Sequence, residues 1–321
     1  MSKYRKHLPQ LNDQLFMTDG GLETTLIFHQ KLDLPYFAAF DLLKDEAGTA
    51  QLEGYFRRYA EMARGENVGL VLEAPTWRAN PDWARKLGYS DAALADANRK
   101  AISLLVRIRD EYETPATPIV ISGNLGPRGD GYRVDARMSA DEARAYHAPQ
   151  IETFAATDAD MVAAFTINYA EEGIGVVQAA KACGMPVAVA FTLETDGRLP
   201  SGDTLQHAVE RTDADTGAYA VYYLINCAHP THFDGVLRGG GEWLARIRGL
   251  RANASRRSHA ELDEAPDLDD GDPGELGRQY GALRGLLPRM TVVGGCCGTD
   301  HRHVEQICRA MKEARGAQVG A

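Results

Sequence analysis

Residues 291–300, TVVGGCCGTD, organise the reading of this chain. Thr291, Val292 and Val293 are β-branched and read as a short buried strand. Gly294 and Gly295 end it where a backbone needs freedom or close approach. Cys296 and Cys297 then stand side by side. Gly298, Thr299 and Asp300 turn into a helix that begins near His301, with Thr299 or Asp300 as its cap. Two adjacent thiols at the end of a strand fill a core poorly. The strain in the peptide between them also disfavours a disulfide joining the two. Both can reach one soft metal, which then wants a third thiol.

Cys227 is the best candidate for that thiol. It follows a buried strand at 218–225 in AYAVYYLINCAHP, so all three cysteines fall just past strand ends. Cys183 precedes the Gly184 that closes a helix, and Cys308 lies inside the final helix; both read as ordinary buried thiols. Three thiolates and one open position describe a catalytic zinc site, because structural zinc takes four protein ligands. His229 or His232 as a fourth ligand would make the site structural instead. Spacing alone also leaves open a redox pair, or plain buried cysteines beside a glycine-rich turn.

The rest of the chain repeats one pattern. Strands are expected at 15–18, 68–72, 118–122, 160–167, 186–191, 218–225, 249–253 and 291–293. Helices are expected between them, including 50–63, 91–113, one capped by the Ser139–Glu142 box, 171–183 and 274–287. Nearly every candidate polar residue falls at the C-terminal end of a strand. That is the pattern of a single-domain (β/α)8 barrel, an α/β TIM barrel over 15–321, whose chemistry lies at that face. An open doubly wound sheet is the alternative, but no GxGxxG follows the first strand. Residues 1–14 read as a loose polar arm. The acidic stretch 261–275, ELDEAPDLDDGDPGE, reads as solvated surface, and His301 and His303 as surface residues.

Composition narrows the function. The chain has 321 residues and a net charge of −10, with 45 acidic against 35 basic side chains. No basic cluster with interleaved aromatics is present, which argues against a nucleic-acid partner. No run approaches a membrane span, and the N-terminus lacks the apolar core of a secretory signal. Five cysteines, two of them adjacent, do not make a disulfide framework, so a reducing cytoplasm fits best.

GGCCGT, with an upstream NC at a strand end and DGGLET near the N-terminus, resembles the homocysteine S-methyltransferase family. That family includes betaine–homocysteine and S-methylmethionine–homocysteine methyltransferases and the homocysteine-binding module of cobalamin-dependent methionine synthase. The resemblance runs from about Asp19 to Val304. It implies that Cys227, Cys296 and Cys297 bind zinc and that a substrate thiol takes the open position as the nucleophile. A small onium donor (S-methylmethionine, S-adenosylmethionine or a betaine) would then methylate homocysteine to methionine. The alternatives are another thiol acceptor with the same fold and zinc chemistry, or a non-catalytic zinc- or thiol-binding barrel.

The resemblance further implies that Asp19 holds the substrate's amino group, with Gly20, Gly21, Glu23 and Thr24 in the same loop and Asn226 and Asn253 at later strand ends. His259 reads either as an acid/base or ligand-binding group or as a structural histidine. Trp77, Tyr169 or Phe28 could face a cationic donor by cation–π contact. The expected partners are the small-molecule thiol and the methyl donor; self-association is left open. One departure stands out. Many homocysteine methyltransferases end the fourth strand with a glutamate that binds the amino group, and here Phe165 stands in its place. Either Glu73, Glu171 or Glu194 compensates from another loop, or the acceptor thiol is not homocysteine.

Overall fold

All eight expected strands form, and they hydrogen-bond in sequence order into a closed parallel barrel. The computed structural model describes residues 2–134, 137–265 and 267–319. The strands are β1 (Phe16–Met17), β2 (Gly69–Glu73), β3 (Ile119–Leu125), β4 (Met161–Ile167), β5 (Val187–Thr192), β6 (Tyr222–Asn226), β7 (Ile247–Ala252) and β8 (Val292–Gly295). Closure falls on β1, where Phe16 sits opposite Gly69 on one side and Val292 on the other. A side chain at position 69 would run into the Phe16 ring, so glycine is required there.

A helix follows each strand: Glu46–Glu66, Asp91–Tyr112, Ala140–Ala155, Ala170–Ala182, Leu205–Thr216, Pro230–Arg238, Pro273–Leu283 and His301–Val319. Side-chain caps fix several starts. Asp45 accepts from the Gly48 amide, Ser90 from Ala93 and Thr204 from His207. Ser139 and Glu142 form the expected capping box. Such caps contribute about 0.5–2 kcal/mol each. Asp45 starts the first helix four residues before the apolar spacing alone indicated.

Strand alternation splits the core in two. Leu70, Leu72, Val162, Ala164, Val187 and Val189 face the helices. Phe16, Val71, Val120, Met161, Ala163, Phe165, Ala188, Tyr222 and Val292 fill the barrel. The N-terminal segment is not loose. Leu8 packs with the inner set and Gln10 is fully buried. The Arg5 guanidinium donates to the carbonyls of Ala155, Thr157 and Ala159. Residues 4–11 therefore close the N-terminal end of the barrel, leaving the C-terminal end for a ligand. No helix among the described residues is long and apolar enough to cross a membrane.

Candidate active site

A cavity of about 390 Å³ opens at the C-terminal ends of the strands. The three thiols stand on one wall. Cys227 follows β6 and Cys296 follows β8, with β7 between them. Both loops lie along β7: the Cys227 amide donates to the Arg251 carbonyl (3.1 Å) and the Cys296 amide to the Ala252 carbonyl (2.8 Å). That shared edge brings sulfurs from distant sequence positions face to face. Cys227 and Cys296 are joined as a disulfide with their Cα atoms 5.4 Å apart. The Cys297 sulfur lies 3.9 Å from that of Cys227.

The surroundings hold these loops. Cys227 has a left-handed backbone, φ 52°, which non-glycine residues adopt only under constraint. Nε2 of His259 donates to its carbonyl at 2.6 Å, and Nδ1 faces the Glu194 carboxylate at 3.1 Å. The His259 ring stacks on Tyr132, centroids 3.9 Å apart. The Tyr132 hydroxyl reaches the Cys227 and Cys297 sulfurs at 3.4 and 3.6 Å. Asn226 bridges β6 to β4. Its Oδ1 accepts from the Thr166 amide (3.0 Å) and its Nδ2 donates to the Thr166 hydroxyl (3.1 Å).

The floor is a buried ion pair. Arg251 donates through Nη2 to Asp19 Oδ1 (2.7 Å) and to the Gly20 carbonyl (3.1 Å), and through Nε to the Gly295 carbonyl (2.9 Å). Tyr55 donates to the other Asp19 oxygen at 3.0 Å. Burial pushes the Asp19 carboxyl above its ordinary range, against the opposing pull of Arg251 and Tyr55. Phe165 points into the barrel, its ring centroid 5.0 Å from the Arg251 guanidinium. Glu73 lines the cavity, is 5 % exposed and has one oxygen, Oε2, without a partner. Burial raises its carboxyl to about 7 despite the opposing pull of Arg251 and the Ser122 hydroxyl. Burial likewise raises Glu23 to about 7. Six carboxylates (Asp19, Glu23, Glu73, Asp130, Asp267 and Asp269) and two guanidinium groups (Arg78 and Arg251) line the cavity, so its wall carries a formal excess of negative charge.

The homocysteine S-methyltransferase family model matches residues 16–311. This chain belongs to the homocysteine S-methyltransferase family. It is 20% identical to homocysteine S-methyltransferase 1 of Arabidopsis thaliana over 92% of this chain and 93% of the relative. With homocysteine S-methyltransferase 4 of Zea mays it shares 23% identity over 76% of each chain. Among solved structures, the metallated form of the homocysteine methyltransferase MmuM from Escherichia coli superposes with a TM-score of 0.70 at 18% identity, covering 95% of this chain and 98% of that one. Its oxidized form matches equally well, covering 95% and 99%. The protein is thus a methyltransferase on a (β/α)8 barrel.

The three thiols of this family member fit a metal ion. Their sulfurs all lie within 4.8 Å of one another. Zinc–sulfur bonds of about 2.3 Å in a tetrahedron put sulfurs about 3.8 Å apart, close to the observed Cys227–Cys297 spacing. Cys227 and Cys296 would have to be reduced, because a metal takes thiolates; the disulfide and the metal exclude each other. The flanking histidines are engaged elsewhere. His229 Nδ1 caps a helix through the Thr231 amide, and His232 contacts the Arg256 carbonyl.

Most expected residues reach the cavity: Asp19, Gly20, Gly21, Glu23, Thr24, Phe28, Trp77, Asn226 and His259 all line it. Asn253 does not. It is buried behind the wall, its amide donating to the Ala228 carbonyl. Tyr169 is turned away as well, its hydroxyl accepting from the Met138 amide. Glu171 is taken up by Arg137 and Arg211. The acidic stretch is not merely solvated, since Leu262, Ala265, Asp267, Leu268 and Asp269 cover the cavity. His303 is fully buried, held between Asp300 and the Asp270 carbonyl. Sequence reasoning missed Arg251, which sits within a weak strand signal, and Tyr132, which sits in a turn.

Proposed function

We propose that this methyltransferase holds zinc on Cys227, Cys296 and Cys297 and moves a methyl group from a small cationic onium donor to homocysteine, giving methionine. The observation that carries this reading is the convergence of three thiols on the wall of an acidic cavity. Bound zinc supplies a Lewis acid that keeps an acceptor thiol deprotonated near neutral pH. The remaining work falls to the chain's own residues.

Asp19 and Glu73 take the acceptor's ammonium, with Arg251 offsetting one of the two negative charges. Of the three carboxylates that could stand in for Phe165, Glu73 is the one on the cavity wall with a free oxygen. The acidic wall attracts the cationic donor, and Phe28 offers an aromatic face to it, worth about 0.5–2 kcal/mol; Trp77 already carries the Arg78 guanidinium on one face and Tyr132 the His259 ring. Leu262, Ala265 and Leu268 exclude water from the cavity. Displacement of the methyl group cancels charge between thiolate and onium, so it gains from a dry site and from in-line alignment. Because metal binding needs all three thiols reduced, a reducing cytoplasm is the compartment in which this chemistry runs.

A second reading rests on one feature: Asp19 is already paired with Arg251, and Phe165 offers no carboxylate. A thiol acceptor without an amino group suits a floor on which Glu73 stays protonated. Elemental analysis of freshly reduced protein tests the first reading, combined with zinc X-ray absorption with and without homocysteine. About one zinc per chain, lost in Cys297→Ala, and a new sulfur ligand on adding homocysteine are expected. Zinc without the new sulfur favours the other acceptor; no zinc in reduced protein overturns the proposal.

A further inference from the structure

Arg78 is a charged group set into the cavity wall, with Asp130 and Glu23 near enough to favour its charge but not in ion-pair contact with it. Its guanidinium lies between the indole rings of Trp77 and Trp83, 4.0 Å from each centroid. The residue is 7 % exposed and lines the cavity. Nη1 donates to the Gly129 carbonyl at 3.0 Å. Nε is buried and has no partner among the described residues. Nor does any described carboxylate come within ion-pair distance of it, although most charged groups on this wall are acidic.

A guanidinium sealed between two aromatic faces has lost its water and keeps its planar fork fixed. Burial pulls its pKa to about 10, so it still carries its charge at neutral pH. An unpaired buried charge costs stability and is relieved by a group that supplies both charge and acceptors. A carboxylate does so through two parallel hydrogen bonds from the guanidinium fork, an arrangement a lysine ammonium cannot offer. Stacking on the indoles fixes the fork without using those donors.

We propose that Arg78 is the carboxylate receptor of this cavity, binding the carboxylate of a small zwitterionic ligand in a bidentate contact. The inference rests on the methyl-transfer reading only for the identity of that ligand, since acceptor and onium donor can each carry the group.

The test uses reduced, zinc-loaded protein and reads binding, not turnover, from the fluorescence of Trp77 and Trp83 and from calorimetry. Two matched pairs separate the sources: homocysteine against 3-aminopropanethiol, and dimethylsulfonioacetate against its methyl ester. In one pair the carboxylate form binds the wild type at least about tenfold tighter. Arg78→Met brings that ratio to near one, and Arg78→Lys, which keeps charge and loses the fork, retains only part of it. The pair that responds names the ligand. Ratios near one for both pairs in the wild type overturn the proposal, as does a ratio that survives in Arg78→Met. If thermal unfolding shows that Arg78→Met does not fold, Arg78→Lys decides, and an undiminished ratio there overturns it equally. A protein that loses carboxylate preference with Arg78 yet transfers no methyl group keeps this inference and loses the methyl-transfer reading.

Discussion

The two sides of the cavity are built on different principles. On the β6–β8 side, three identical functional groups meet because two loops share the edge of β7, and each sulfur has another within a few ångströms. On the β2 side, Glu73 and Arg78 lie five residues apart, carry opposite charges, and each keeps one polar atom without a partner. The first side satisfies itself, as a disulfide or around a metal. The second is incomplete until something enters. A site that activates needs a fixed constellation, whereas a site that recognises needs unspent hydrogen-bonding capacity held in place.

The largest effect that would sharpen this contrast is on the sulfur side. Cys296→Ala removes one of three thiols from a set with no nearby replacement among the described histidines. Zinc content measured after reduction and reloading is expected to fall to near zero, and methyl transfer with it. Next comes the floor that joins the two sides. Arg251→Met leaves the Asp19 carboxylate buried and unpaired, which should cost about 3–5 kcal/mol in denaturant unfolding. A loss under 1 kcal/mol would mean that Tyr55 and the Gly20–Gly21 turn support Asp19 by themselves.

On the β2 side the expected effect is on binding. Glu73→Gln should raise KM for homocysteine about 10- to 100-fold, the range for losing a charged hydrogen bond, with kcat less affected. Its pH dependence has a definite sign. The Glu73 carboxyl is raised to about 7 by burial, with Asp19 just after β1 adding to that and Arg251 on β7 and Ser122 on β3 opposing it. Tyr222 on β6 also faces it. Below that value Glu73 is neutral and offers an ammonium no charge, so affinity should improve as pH rises through about 7. The glutamine variant should lose that dependence, and Glu23→Gln is the control, because Glu23 titrates in the same range. The ligand-free fold should show the opposite trend. A carboxyl whose folded pKa is raised contributes stability below its unfolded pKa and loses it as pH rises toward 7. The smallest effect belongs to Asn253→Ala. Lying behind the wall, Asn253 should leave KM within about twofold; a larger change would extend the recognising side to β7.

The sulfur side was legible from the chain because cysteine is a rare residue with few reasons to stand in pairs past a strand end. The barrel was legible for a related reason: polar residues punctuate each strand at the same end, and caps such as Ser139–Glu142 mark helix starts. Arg251 was not legible. Its partner Asp19 lies 232 positions away, across the seam where β8 meets β1, and no local spacing joins them. Tyr132 was hidden for another reason: a turn rich in glycine and aspartate gives no sign of which wall its aromatic faces. Leu262 and Leu268 misled because acidic neighbours usually mean solvent, yet both line the cavity. Phe165 was expected to leave the amino group short of a carboxylate. In the barrel its ring lies against Arg251, and Glu73, at the end of β2, lines the same cavity with one oxygen unpartnered.

The packed segment at residues 4–11 has a consequence for traffic. With the barrel filled by inward side chains and Leu8 and Gln10 seated beneath them, that end offers no exit, and whatever binds in the cavity enters and leaves by the C-terminal mouth. Whatever lies deepest must arrive first and depart last. The order of binding is then set by depth, and an excess of the outer ligand traps the inner product behind it. Inhibition by a high concentration of whichever ligand lies outermost is the kinetic form that a single mouth imposes on a two-substrate reaction.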